Sequence, residues 1–372
     1  MQPRLFSIVT KETQELSRDP LYLGLAFFVP MVIMFLFGYG LSLDVDNLPV
    51  VFVTHDRGST SRDYQYSFTN SKYFRQVGTV DTVVQAEEWL KTGRARVIID
   101  FPTDFGRKVA NWDPVQVGVT VDGSFPTRAE IIQGYTLAIN DLYNQRLREN
   151  TPFGEIKLPV EFFSQVWFNP SLESQNSIVP GMIVLNLMMF PALLGSLLLT
   201  REKETGTIFN YYSSPVSRVE ILAGKAIPYI GVAFLEYLLL LLMGLFLFRV
   251  RFVGSLFVLT ASTLLYSTCT VGVGLLVSVL TRTQLAAMLV IFLATVTPAF
   301  NFSGFTAPVA SQDNVGKFIA GLIPATYFME VVRGCFMKGL GFSFYWPNLR
   351  ALLIYTGIIY FAAWWFLKKR ID

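Results

Sequence analysis

The stretch TREKETGTIFNYYSSPVSRVEILAGK, residues 200–225, decides the reading of this chain. It is charged and turn-rich, and it lies between two long apolar runs. The run 174–199 carries no charged residue, and the run 226–248 carries only Glu236. Each exceeds the ~20 apolar residues with which a helix crosses a bilayer. Residues 200–218 are therefore expected to form a loop pinned at a membrane face. Arg201, Lys203, Arg218 and Lys225 make it basic, which favours the cytoplasmic side. Gly206 and Thr207 open a short helix in this reading. Ser213, Ser214 and Pro215 close it, because a residue before proline is disfavoured from helix. Ser217 with Glu220 makes an S-x-x-E capping box that starts the next span. A short helix clamped between two membrane helices can transmit a push.

Composition agrees with a membrane protein. The 372 residues are 52% hydrophobic and 15% charged, whereas soluble domains carry roughly 25% charged residues. The net charge of +3 divides unevenly. Residues 44–177 hold 17 acidic and 13 basic residues, and the rest of the chain holds 10 acidic and 17 basic. A basic membrane part near anionic lipid and a mildly acidic insert follow from this split. No feature points to nucleic acid. Cys269 and Cys335 lie in or beside apolar runs without ligand spacing, and His55 is the only histidine, so disulfide frameworks and metal sites are not expected.

Upstream, residues 3–19 place Leu5, Ile8, Val9 and Leu16 roughly at helical spacing among charges. That pattern predicts an amphipathic helix in the cytoplasmic membrane interface, residues 1–19. Its charges precede an apolar run too long for a signal peptide's core. The first span covers residues 20–43, with a kink expected at Pro30. Residues 44–173 change texture. Strand-like runs at 50–54, 74–80, 96–100 and 115–121 alternate with helical stretches, for which Thr82/Gln85 and Thr127/Glu130 supply capping boxes and Pro102–Thr103 a third start. This alternation predicts a compact α/β domain.

Residues 174–372 then supply five further spans, read at 178–199, 221–248, 253–280, 284–305 and 349–367. Six spans put both termini on one side, and Lys368, Lys369 and Arg370 assign that side to the cytoplasm. Outside the insert, eleven basic residues fall inside by this reading and six outside. The insert is then extracytoplasmic. Residues 306–345 are too polar to cross simply and too apolar for a free loop. Pro308, Gly316, Gly321 and Pro324 interrupt them, and Tyr327 is among their apolar members. An outer re-entrant hairpin at the mouth of a pathway satisfies the pattern. The fold class expected is an α-helical polytopic membrane protein, with six transmembrane helices and an α/β extracytoplasmic domain between the first and second.

No Walker A pattern occurs, since Gly224-Lys225 lacks the glycine five positions earlier and the Ser or Thr after it. No nucleophile–base arrangement stands out, and no catalytic, cofactor or metal residue is assigned. Glu236 sits at membrane depth, where an ionisable side chain is costly. It serves a pathway or subunit interface, or packs against a polar partner such as Tyr or Ser. Gly272 and Gly274 mark a small-residue face suited to close helix packing. Tyr22, Phe35, Phe37, Phe300 and Phe302 are interface anchors or line a pathway.

The segment 200–229 resembles the signature of ABC-2-type transporter permeases, in which E-[KR]-E-x-G-T leads through a coupling helix to S-P-V-S and G-K. The likeness continues in Leu280-Thr281-Arg282-Thr283-Gln284, in Ser303-Gly304-Phe305 with Pro308, and in Pro324-Ala325-Thr326-Tyr327-Phe328. The order of parts is similar too, closest to the bacterial drug-efflux-like subfamily with a large external domain. The resemblance implies that Arg201, Glu202, Lys203, Glu204, Gly206, Thr207 and Pro215 dock a separate ABC ATP-binding subunit, which holds the ATP and Mg. It implies a second permease chain, identical or related, and an inner-membrane exporter of hydrophobic or amphipathic, drug-like molecules. The external domain either docks a periplasmic adaptor or only shapes the exit path. The competing classes are an extracytoplasmic ligand-sensing receptor, which would need a cytoplasmic output domain, and an ion-coupled secondary transporter, which would need more intramembrane carboxylates or an inverted repeat.

Overall fold

The computed structural model describes residues 2–40, 47–56, 58–122, 126–149 and 173–367. The basic tail Lys368-Lys369-Arg370 and the side chains of the Thr127/Glu130 box lie outside what is described. The chain splits into two compact units, Met1–Ser42 with Phe168–Asp372, and Leu43–Trp167.

In chain order the helical unit begins with α1 (Gln2–Arg18) and α2 (Pro20–Gly40). Asp19 caps α2 by accepting from the Leu21 amide at 3.1 Å. A π-helical turn, Gly24–Phe28, stands just ahead of Pro30. The widened turn fits a proline that lacks an N–H and crowds the carbonyl one turn earlier.

The smaller unit holds β1 (Leu48–Thr54), α3 (Ser59–Thr69), β2 (Phe74–Val80), α4 (Val83–Lys91), β3 (Val97–Phe101), α5 (Phe105–Ala110), β4 (Gly118–Val121) and α6 (Pro126–Glu149). Its four strands run in the order β2-β1-β3-β4. The pairs β1–β2 and β1–β3 are parallel, and β3–β4 is antiparallel. Strand β1 is buried on both faces, as a central parallel strand should be. Val50 and Phe52 face Tyr64, Phe68, Phe101 and Tyr143, while Val51 and Val53 face Ala86 and Ile98. The α/β pattern is thus present. Helix α3 has no sequence signal because its N-cap, Gly58, offers no side chain, and α6 starts at Pro126, ahead of Thr127.

The helical unit resumes with α7 (Gln175–Thr205), α8 (Phe209–Ser213), α9 (Arg218–Leu247), α10 (Leu256–Leu280), α11 (Gln284–Phe302), α12 (Asn314–Gly321), α13 (Pro324–Lys338) and α14 (Phe342–Phe366). Among the described residues, α2, α7, α9, α10, α11 and α14 are long and apolar enough to cross a membrane, and α12–α13 form a pair bent by 89°.

Helix α7 is the core of this unit, packed by α2, α9, α10, α11 and α13. Its closest neighbour is α10. A Cβ on Gly274 would stand 2.1 Å from the Ala192 carbonyl oxygen, and one on Gly195 would stand 2.7 Å from that of Val271. Small residues let the two backbones touch, which is how helices gain contact where lipid tails are as apolar as leucine. Gly272 instead admits the ring of Tyr360 from α14. At the α12–α13 pair, Arg333 donates to the Gly304 and Phe305 carbonyls at 2.6 and 3.0 Å. Tyr327 donates to Gly321 at 2.9 Å. Pro324 opens α13 at its first turn, and Pro308 precedes a short 3-10 turn, Val309–Ser311.

Candidate functional site at the basic end of the bundle

The charged segment is not the loop expected from residue 200. Helix α7 continues through Arg201–Thr205 and stops only at Gly206, which sits at φ 76°. A left-handed residue after the last turn is a common helix stop, and glycine adopts it without a Cβ penalty. Gly206 therefore ends α7 and turns the chain into α8, five residues long. The capping box at Ser217 is present in full. The Glu220 amide donates to the Ser217 hydroxyl at 3.2 Å, and the Ser217 amide donates to the Glu220 carboxylate at 2.7 Å.

The four consecutive charges each have an assigned place inside the chain. Arg201 pairs with Asp19 at 3.1 Å and lies over the ring of Tyr22. Lys203 donates to the carbonyls of Ser278, Val279 and Thr281, at 2.7, 2.6 and 2.8 Å, so one ammonium satisfies the orphan acceptors that end α10. Glu204 accepts from the Gln284 amide at 2.7 Å and from the Gln284 side chain, which serves the start of α11. The turn Leu280–Gln284 is thus gripped at both ends by the end of α7. Ser278 returns the contact, its hydroxyl accepting from the Leu199 and Thr200 amides at 2.6 and 3.1 Å.

Glu202 is buried and joins a cluster that ties α1 to the bundle. Lys225, 1% exposed, lies 2.6 Å from Glu12 and 3.0 Å from Glu202, and Lys11 lies 3.3 Å from Glu202. The buried Lys225 ammonium is thus paired with two carboxylates, the condition under which ions tolerate burial. The ring of Tyr211 from α8 stands 5.5 Å from the Lys11 ammonium and 5.4 Å from that of Lys225. Burial pushes the Glu12 carboxyl above its ordinary value, and Lys225 offsets only part of that rise. Lys11 is raised although burial alone would lower it, because Tyr211, Glu202, Glu15 and Glu12 surround it. Helix α1 thus turns Ile8, Glu12 and Leu16 onto protein and packs against α9, where a Cβ on Gly224 would meet the Ile8 side chain at 2.7 Å. The buried face centres on Glu12, four residues after Ile8 and four before Leu16, and so in the middle of the apolar stripe.

Arg201 and Glu204 stay exposed although their charged ends are engaged; beyond Gly206 the outward surface is different in kind. Phe209 is 52% exposed, and Thr207, Asn210, Ser213 and Pro215 are exposed beside it. Arg4 donates to the Pro215 carbonyl at 3.0 Å, so α1 also holds the far end of the turn. Between α1 and α8 an open groove of about 710 Å³ is lined by Ser7, Lys11, Glu15, Thr207, Asn210 and Tyr211. Glu236, on α9, is fully buried, and among the described residues neither carboxylate oxygen has a hydrogen-bond partner. No Tyr or Ser hydroxyl of the described residues reaches it, and the neighbouring Tyr237 faces Thr260 instead.

The sequence model of ABC-2 family transporter proteins matches residues 21–366. The chain belongs to the ABC-2 transporter family. It is 31% identical over 381 residues to the probable multidrug ABC transporter permease YbhS of Escherichia coli K12, covering 99% of this chain and 98% of that one. The probable multidrug ABC transporter permease YbhR of the same organism is 26% identical over 368 residues, with 99% of each chain covered. The inner membrane transport permease YhhJ is 24% identical over 375 residues, covering 99% and 97%. This ABC-2 protein thus places all the signature charges of residues 201–204 at one end of its bundle, on three helix termini and one buried ion cluster.

Proposed function

We propose that this chain is the membrane-spanning permease of an ABC exporter that moves amphipathic, drug-like molecules out of the inner membrane or cytoplasm. The ATP and its Mg belong to a separate ATP-binding subunit, and two permease chains form the pathway. The end-to-end match with YbhS, itself called a probable multidrug permease, carries the reading. The basic end is cytoplasmic in this account, both termini lie there, and the α/β unit and the bent pair α12–α13 lie on the opposite side.

The ATP-binding subunit docks on Phe209, Asn210 and Thr207 and in the groove beside α1. Arg201, Glu202, Lys203 and Glu204 position that surface from behind, while Gly206 and Pro215 set its two bends. Nucleotide-driven closure of the ATPases presses on α8. The grip of Lys203 and Glu204 on the Leu280–Gln284 turn carries the displacement to α10 and α11, and the Lys225 cluster carries it to α1 and α9. Contiguous hydrogen-bonded elements are the physical means by which such coupling travels. Reconstitution with a partner ABC ATP-binding subunit tests the reading. Proteoliposomes should transport an amphipathic dye only with ATP and both proteins. Dye movement by the permease alone, or unchanged by ATP, would overturn it.

A further inference from the structure

The α/β unit contains a cleft that the transport reading leaves unused. It has a volume of about 370 Å³ and lies between α6 and the segment that leaves α5, within the range of pockets that hold small organic molecules. Its inner wall is aromatic. Tyr64 stacks edge-on to Tyr143 with ring centres 4.7 Å apart, and Phe105 lies 5.5 Å from Tyr64. The Tyr64 hydroxyl donates to Asn140 at 2.9 Å, so the phenol end is satisfied within the wall. Burial raises both phenols from their ordinary range, so they stay neutral.

Trp112 forms the outer lip. Its indole is 44% exposed, although so large an apolar ring is normally covered. Its backbone sits at φ 60°, a region costly for a bulky side chain. Strained, displayed residues of this kind concentrate at ligand clamps. The segment is fixed in that pose by two amides, Trp112 to the Val109 carbonyl at 3.2 Å and Asp113 to that of Lys108 at 2.9 Å.

Among the described residues, Asp113 is the single charged one lining the cleft. The nearby cations of α5 are occupied elsewhere, Lys108 with Asp104 at 3.0 Å and Arg107 with Asp104 at 3.8 Å. Aromatic faces attract positive charge through their quadrupole, and a carboxylate adds to that attraction. We propose that this cleft binds amphipathic organic cations, with the apolar body against Tyr64, Phe105 and Trp112 and the positive centre toward Asp113. The inference stands on the α/β unit alone and does not rest on the exporter assignment.

The test is binding of tetraphenylphosphonium to the full chain in lipid nanodiscs, with empty nanodiscs subtracted. Trp112→Gly removes the ring and relaxes the backbone, and Asp113→Asn keeps shape while removing charge. A saturable component that Trp112→Gly weakens tenfold or more, and Asp113→Asn threefold or more, is expected. Tetraphenylborate, of the same shape and opposite charge, should show no such component. Binding of the cation that neither substitution changes would overturn the proposal, and so would equal saturable binding of the anion. Loss of a co-purifying protein in Trp112→Gly, with no cation binding by the unaltered chain, would assign the cleft to a protein surface and also overturn it.

Discussion

Arg201, Glu202, Lys203 and Glu204 spend their charges on other parts of the same chain, whereas Phe209, Asn210 and Ser213 a few residues later face outward. The first group would be taken for a binding surface on charge density alone. Yet its members close helix ends and neutralise a buried cluster, with Arg201 and Glu204 still exposed. The second group is small, aromatic and polar, and it stands on a turn held from three sides. Charge near a membrane face can therefore serve a chain's own helix ends as well as a partner. Half-exposed aromatic area on a rigid support is the other kind of surface that partners use.

The comparison can be broken most severely at Lys225. Lys225→Met leaves Glu12 and Glu202 buried with their main countercharge gone, and breaking a buried pair costs about 3–5 kcal/mol. Thermal unfolding in detergent should show the largest drop of the series, partly restored by adding Glu12→Gln. No drop would mean that the cluster does not hold α1. Gly274→Leu attacks the helix contact behind the brace. Its Cβ would land 2.1 Å from the Ala192 carbonyl, and such overpacking costs about 1–3 kcal/mol, read in the same assay.

Lys203→Met removes one donor from three carbonyls that end α10. About 1.5–3 kcal/mol should be lost, as for hydrogen bonds to a charged group. Hydrogen exchange should rise around residues 278–281. Protection unchanged there would argue that water serves those carbonyls equally well.

The smallest effect is a pH dependence at Glu12, whose carboxyl lies above its ordinary 4.5 through burial, with Lys225 offsetting part. A raised carboxyl holds its proton more tightly in the folded chain. Its contribution is absent well above the folded value, grows as pH falls through it, and is complete below 4.5. The unaltered chain should therefore gain stability relative to Glu12→Gln over that interval. A constant difference between the two would show that Glu12 is not desolvated.

Local signals were legible in the residues. The six apolar runs, the Ser217–Glu220 box, the strand-like run of residues 50–54 and the Gly274 packing face all rest on near neighbours or on composition. Pairings across the chain were not legible. Lys225 finds Glu12 only because α1 packs on α9; the spacing of Ile8, Glu12 and Leu16 puts the carboxylate on the apolar stripe of residues 3–19 but does not name its partner. Gly206 reads equally well as a helix opener or a helix stop, and only its positive φ separates the two. Trp112 gave no signal, since a lone tryptophan before Asp-Pro looks like an ordinary turn. Glu236 was visible as an anomaly, but its lack of a polar partner depends on the surrounding helices.

The division between an inward brace and an outward contact is tested most directly with Phe209→Ala. This exposed side chain touches little of its own chain, so the melting temperature should stay within the shift of about 0.5 kcal/mol typical of surface substitutions. ATP-driven dye transport with the partner subunit should fall at least tenfold. Full transport at an unchanged melting temperature would contradict the account.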